Sequence, residues 1–373
     1  MNLHDLGHVP WLDSQLIYHA LPRIGAEGLL ILAPREPYVC IGWHQDLEQE
    51  VDLPYCREHG IPVFRREVGG GAVYLDGRQV FFQLVLHRDN PLAGGDKAAF
   101  YRRMLQPVAD AYADMGVPAR YRPINDVVTA EGRKISGTGA AEIGESLVLV
   151  GNLIEDFDYD TMVHVLRVPD EKFRDKVYKS MRENLTTLRR ETGRAFGWTE
   201  MVGPLVRRFA QVLGPLEPAP LPQAVRGQVE ALASVVQDRE WLFRRGGGPR
   251  EKRDVKIATG VNVVQRVHKG QGGLLRAQLE VREGRIEHVS LSGDFFCYPQ
   301  GGIEELERML QGVRLEHAGG VLSRFYGGGR TETPGIAISD WLTVLGAQAE
   351  SVLVPPAALP PEPPTARSPG SRS

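Results

Sequence analysis

Arg65-Arg66-Glu67-Val68-Gly69-Gly70-Gly71-Ala72-Val73-Tyr74 and, further on, Asn125-Asp126 followed by Gly132-Arg133-Lys134-Ile135-Ser136-Gly137 decide how this chain is read. The glycine run lets backbone N–H groups approach a bound group without Cβ interference. An arginine beside it offers a planar fork suited to phosphate or carboxylate. The second stretch sets a lysine among small residues, from which it can project into a shared cavity. Together they suggest a site for two anionic reactants, such as ATP and a carboxylic acid. Each alone also reads blandly, as a hairpin turn or a solvated lysine. A P-loop needs Lys-Ser or Lys-Thr directly after its last glycine, and a dinucleotide fingerprint needs Gly-x-Gly-x-x-Gly opening a helix. Neither is here, so another scaffold must hold the phosphates.

Working outward, Pro62–Arg66 reads as a strand entering the glycine turn, and 29–32 and 38–41 as two more strands. Residues 46–59 read as one short helix. Residues 72–75 and 80–86 read as a hairpin turning at Asp76-Gly77. Residues 97–116 form an amphipathic helix with Phe100, Met104, Val108, Ala111 and Met115 inward. Residues 127–128 and 134–137 read as neighbouring strands, and 147–153 as an apolar strand of the same sheet. Helices follow at 160–166 and 199–213. Prolines 215, 218, 220 and 222 and the run Arg244–Pro249 mark a joint. Strands over 254–269, 273–281 and 284–289 and a helix over 301–312 then make a small α/β module. After about Ala347 the composition turns to Pro, Ala, Ser and Arg, which favours disorder.

Two further stretches complete a pattern: Ile41-Gly42-Trp43-His44-Gln45, and Ser292-Gly293-Asp294-Phe295-Phe296 with Pro299. In these four motifs, in this order, the chain resembles the lipoate–protein ligases of the biotin/lipoate ligase superfamily, from about residue 10 to about residue 345. The resemblance implies an α/β (α+β) protein with a mixed β-sheet. With the punctuation above it divides the chain into a catalytic domain over 1–214, a linker over 215–250, an accessory domain over 251–346 and a disordered tail over 347–373.

What such a protein must do is chemically clear. Carboxylate is a poor electrophile, so joining it to a lysine amine needs activation. Its attack on the α-phosphate of ATP expels pyrophosphate and leaves an acyl-adenylate, here lipoyl-AMP. The site must neutralise two anions and keep water from a labile anhydride. The resemblance makes Lys134 the lysine that contacts both reactants. Arg66, Gly71, Ala72, Val73 and Tyr74 would cradle the nucleotide, while Gly69 and Gly70 would leave room for the lipoate chain. Asn125 and Asp126 have the composition of a metal–phosphate contact, with Asp126 toward Mg²⁺, though both also suit a cap or an Asx turn. His44 and Gln45 either border the pocket or are structural. The acceptor would be a lipoyl-domain protein presenting its lysine on a hairpin.

Acyltransferase branches of the superfamily work through a cysteine thioester, upstream or downstream of the Gly-x-Lys motif. Neither 121–126 nor the stretch down to Ile154 contains cysteine, which argues against ATP-independent octanoyl or lipoyl transfer. Retention of Lys134, Arg66 and the glycines argues against a non-catalytic lipoate-binding relative. Two positions depart from the family: Val68 where Ser or Thr is usual, and Val150 where histidine is. Composition adds limits. Net charge is −3 with 24% charged residues, so no basic field invites nucleic acid. No apolar stretch suits a membrane span or signal, and three cysteines without a Cys-x-x-Cys pair fit a reducing cytoplasm.

Overall fold

The structure, a computed structural model, describes residues 1–245, 255–258 and 261–347. Its strands in chain order are β1 Asn2–Val9, β2 Gly28–Pro34, β3 Tyr38–Ile41, β4 Val63–Arg65, β5 Val73–Leu75, β6 Gln79–His87, β7 Ala119–Arg122, β8 Asp126–Thr129, β9 Lys134–Ile143, β10 Ser146–Ile154, β11 Glu217–Pro218, β12 Val255–Ala258, β13 Val261–Gly270, β14 Gly273–Arg282 and β15 Arg285–Gly293. Eight form one sheet in the order β11-β1-β2-β6-β10-β9-β8-β7. The β1–β2 pair is parallel and the run from β2 to β7 antiparallel, so the sheet is mixed as expected. β6 and β10 lie at its centre, and nearly every residue of β6 is buried. Burial on both faces is why its sequence, Gln79-Val-Phe-Phe-Gln-Leu-Val-Leu-His87, is apolar almost without alternation.

Helix Lys97–Asp114 packs beside helix Trp198–Leu213. Asp96 caps it by accepting from the Ala99 N–H at 2.7 Å, and Phe100, Met104, Val108 and Ala111 recur on its buried face. Each such side chain contributes about 1.5–3 kcal/mol by leaving water. The antiparallel sheet β12-β13-β14-β15 carries its own apolar core. There Leu275, Leu279, Ile286 and Leu291 meet Ile303, Leu306, Leu322 and Trp341 from three helices.

Several expectations need correction. β5 and β6 are not a hairpin: β5 pairs with β3 in a separate sheet, β4-β3-β5. Both edges of β6 are taken by β2 and β10, and Asp76 spends its side chain on Arg78 rather than closing a two-residue turn. The helix over 46–59 is two, Leu47–Glu50 and Leu53–Glu58, because Val51 is extended and Asp52 with Pro54 starts a new one. The strand over 254–269 is two strands, β12 and β13. The stretch read as linker holds helix Gln223–Val236, packed on helix Asp13–Arg23 of the main core. Its glycines at 246–248 and the tail beyond 347 lie outside the described residues.

The second module sits on the glycine turn. The Gly70 N–H donates to the Phe295 carbonyl at 3.0 Å, and the Gly293 N–H to the His44 carbonyl at 2.9 Å. Phe295 stacks on His44 with ring centroids 4.8 Å apart, and Arg276 pairs with Glu50 at 3.1 Å. The Tyr101 and Tyr298 hydroxyls lie 3.1 Å apart below.

Candidate active site

A cavity of 1040 Å³ opens between the central sheet, the glycine turn and the second module. Its wall includes Arg66, Gly70, Gly71, Ala72, Val73, Tyr74, Asn125, Asp126 and Lys134. Residues distant in sequence are thus brought to one site, as the two opening motifs suggest.

Lys134 starts β9 and Asp126 starts β8, two adjacent antiparallel strands. The lysine Nζ lies 2.7 Å from Asp126 Oδ1, and Arg122 Nη2 donates to Asp126 Oδ2 at 2.8 Å. Burial would raise the Asp126 carboxyl, but Lys134 and Arg122 outweigh it and hold it below its ordinary value. The carboxylate is therefore ionised at neutral pH and keeps Lys134 at the cavity wall, with 36% of the lysine side chain exposed. Asn125 donates its side-chain amide to the Thr138 carbonyl, and Thr138 Oγ1 donates to the Asn125 carbonyl at 2.5 Å. Asn125 therefore pins β8 against β9.

Arg66 shapes the turn. Its Nη2 donates to the Gly69 and Gly71 carbonyls, each at 2.8 Å, and its Nη1 to the Cys40 carbonyl at 3.2 Å. Gly70 has φ +87°, a left-handed backbone that favours glycine. Gly69 departs from expectation. A Cβ there would stand 2.4 Å from the Phe295 carbonyl oxygen, so its missing side chain admits the second module rather than an acyl chain. It is also absent from the cavity wall. Arg65 is not a site residue: fully buried, it points away from the cavity into the Gly42–Gln45 loop. His44 and Gln45 prove structural, His44 stacked on Phe295 and Gln45 Oε1 accepting from the Gly42 N–H at 2.9 Å.

Other wall residues escape sequence reading. Asn152 accepts from the Gly137 N–H at 3.0 Å and donates to Gln79 Oε1 at 2.8 Å. Asp294 and Lys269 arrive from the second module with Gly272 and Gly273. Burial raises the Asp294 carboxyl, while Lys269, 3.9 Å away, and Lys134 pull the other way. Helix Glu171–Asn184 lines the cavity through Phe173, Lys176 and Met181. The Asp170 cap and the i, i+4, i+8 stripe Phe173-Val177-Met181 were its available signal. Cys40 also faces the cavity. Burial raises its thiol, and the Arg66 guanidinium beside it only partly offsets this. The apolar side chains of the wall include Val68, Phe81, Val150 and Phe296.

Among the described residues no group of three or more His, Cys, Asp or Glu could hold a metal ion, and no helix is long and apolar enough to cross a membrane.

Known proteins resemble this chain in sequence and fold. Residues 12–210 match the lipoyl protein ligase A/B catalytic domain, and residues 263–319 the bacterial lipoate protein ligase C-terminus. The lipoate-protein ligase LplJ of Bacillus subtilis (strain 168) is 28% identical over 309 residues, 82% of this chain and 86% of that protein. A solved bipartite lipoate protein ligase of Thermoplasma acidophilum, studied with its E2 lipoyl domain, superposes with a TM-score of 0.58 at 27% identity, covering 68% of this chain and 98% of its own. A lipoate-protein ligase A bound with ATP has the same fold, with a TM-score of 0.56 at 24% identity over 65% of this chain and 98% of that one. Since the catalytic-domain match alone spans more than half of its length, the chain belongs to the lipoyl protein ligase A/B family.

Proposed function

We propose that this protein is an ATP-dependent lipoate–protein ligase that forms an acyl-adenylate and passes the acyl group to a lysine of a lipoyl-domain protein. The observation that carries this reading is Lys134, held on Asp126 in the wall of one cavity that also includes Gly71–Tyr74 and the apolar Val68, Phe81, Val150 and Phe296. Lipoate would lie along these apolar side chains with its carboxylate at Lys134. ATP would lie against Gly71–Tyr74, with its α-phosphate at the same ammonium. Attack by a carboxylate oxygen on that phosphorus makes the anhydride and releases pyrophosphate. Attack by the acceptor amine on the acyl carbonyl then makes the amide and releases AMP. Lys134 neutralises charge in both steps. Arg66, by donating to the Gly69 and Gly71 carbonyls, would set the shape of the turn against which the nucleotide lies.

Asp126 and Asp294 both line the cavity and would be the carboxylates for a magnesium ion that enters with the nucleotide, since such an ion needs only one or two besides phosphates and water. When bound it would neutralise the phosphates. We include in the proposal a catalytic domain over 1–214 and an accessory domain over 251–346; the apolar core from Leu275 to Leu345 supports the second, while the main core takes in Val225, Leu232 and Val236 beyond 214 and Phe296 and Tyr298 of the second module. A cytoplasmic location is supported by three free, buried cysteines. The thioester alternative needs a nucleophile, and Cys40, the cysteine on the cavity wall, is a buried thiol with a raised pKa.

The test is pyrophosphate release by purified protein from ATP and Mg²⁺, with and without lipoate. Lipoate-dependent release supports the ligase; acyl transfer from a carrier thioester without ATP would sink it. The chain's path can be tested separately. A Cβ on Gly139 would stand 2.6 Å from Val68 Cγ1 and 3.2 Å from the Phe296 ring. Gly139→Ala is expected to raise the KM for lipoate about tenfold by crowding both into the cavity, with the KM for ATP unchanged. An unchanged lipoate KM would mean the acyl chain does not pass there.

A further inference from the structure

We infer that Gln83 reads the far end of the acyl chain, favouring a medium-chain acid with a distal thiol, the dithiol form of lipoate, over plain octanoate. This rests on the ligase reading above and deepens it. Gln83 lies on β6, is 1% exposed and lines the cavity. Its Nε2 donates to the Ser14 carbonyl at 2.7 Å, and this bond fixes which way the amide faces. The other end, Oε1, is buried with no hydrogen-bond partner. Nearby polar groups are already matched: Gln15 accepts from the Tyr18 hydroxyl at 2.9 Å and donates to the Tyr38 hydroxyl at 2.6 Å. Among the described residues, Gln83 is the one cavity-wall side chain with a buried polar atom left over.

Its place on the sheet sets the distance. Across β6, β10 and β9, Phe81 faces Asn152, and Gln83 faces Val150, which faces Gly139. The carboxylate end is marked by Gly137, which Asn152 holds and beside which the Lys134 side chain runs. Gln83 therefore stands two residues along and two strands across from that end. With strand spacings of about 4.8 Å and rises of about 3.3 Å, the diagonal is about 12 Å. An extended eight-carbon acid with its carboxylate at Lys134 ends near Gln83.

The chemistry at that end then discriminates. A methyl terminus leaves Gln83 Oε1 as it stands, shut off from water and unpaired. The oxidised dithiolane ring has no hydrogen to donate. A thiol donates weakly but fits. Sites built around a hydrogen bond reject analogues that lack it, and a weak donor sets the expected ratio at about tenfold.

The experiment measures kcat/KM by pyrophosphate release for octanoate, lipoate, and lipoate kept reduced by a phosphine, with octanoate plus phosphine as the reductant control. Wild-type protein is expected to prefer the reduced acid over octanoate about tenfold, mainly through KM. Gln83→Met, of similar length but without the acceptor, is expected to bring the ratio near one by a loss for the reduced acid alone; Gln83→Leu is the second variant. Equal use of octanoate and the reduced acid by wild type overturns the inference, whether or not the variants fold. So does an unchanged ratio, or a parallel loss for all acids, in a variant. If no acid releases pyrophosphate from wild type, the ligase reading fails first and this inference with it.

Discussion

Lys134→Ala is expected to lower lipoate-dependent pyrophosphate release by about 10²–10³-fold, the scale seen when one preorganised donor to a transition-state charge is removed. The geometry makes this a loss of chemistry rather than of fold. The lysine side chain is 36% exposed, and Asp126 keeps Arg122 at 2.8 Å when Lys134 is gone. Partly exposed ion pairs contribute little, so stability is expected to change by less than about 1 kcal/mol. The backbone role of residue 134, accepting from the Thr186 N–H at 2.8 Å, survives the substitution. Lys134→Arg is expected to recover only part of the rate, because a planar fork cannot replace a compact ammonium between two anions. Thermal melting beside the pyrophosphate assay separates the outcomes. A wild-type rate in a folded Lys134→Ala protein would remove the lysine from the reaction.

The second module gives the site residues that the first motifs do not announce. Asp294 belongs to Ser292-Gly293-Asp294-Phe295-Phe296, a motif legible as family resemblance but silent about chemistry until folded. Its two aromatic neighbours dock, Phe295 on His44 and Phe296 against the apolar wall, and Asp294 is left at the cavity beside Gly71. Docking at the glycine turn makes the cavity composite, with charges from both modules around one lysine.

Periodicity made the long helix 97–116 and the apolar strands β6 and β10 legible, because burial writes their patterns directly into sequence. Local turn chemistry was a poorer guide. Asp76-Gly77 has the composition of a hairpin turn, yet sheet pairing decided otherwise, since a strand with two occupied edges cannot take a third partner. The prolines after 214 suggested a linker, but Pro222 sits at the start of helix Gln223–Val236, where its missing N–H breaks no intrahelical bond because the first N–H groups of a helix have no partner. Nothing local distinguishes Arg65 from Arg66. They alternate across a strand end, and only the three-dimensional fold shows that one meets the cavity and the other the core.

That hidden partner carries the largest stability prediction. Arg65 is fully buried and has carbonyls rather than a carboxylate around its guanidinium. Nη1 donates to Gly42, Trp43 and Gln45 at 3.0, 3.0 and 2.7 Å, while Nε and Nη2 share the Leu242 carbonyl at 3.0 and 2.7 Å. Burial lowers its pKa to about 9, with Arg244 and Arg245 adding repulsion, so it remains charged at neutral pH. Arg65→Met keeps the bulk but strands several carbonyls, each worth about 1–3 kcal/mol if left unsatisfied, and a net loss above about 3 kcal/mol is expected. Lysine should not rescue it, since a single ammonium cannot reach both sides of the fork. The damage should reach the site, because Trp43 N–H donates to Val68 at 3.1 Å and Arg66 N–H to Ile41 at 3.0 Å, tying that loop to the glycine turn. Denaturant unfolding of Arg65→Met reads the stability directly. A loss below about 1 kcal/mol would mean that water or a shifted loop satisfies these carbonyls, and that Arg65 does not hold the turn in place.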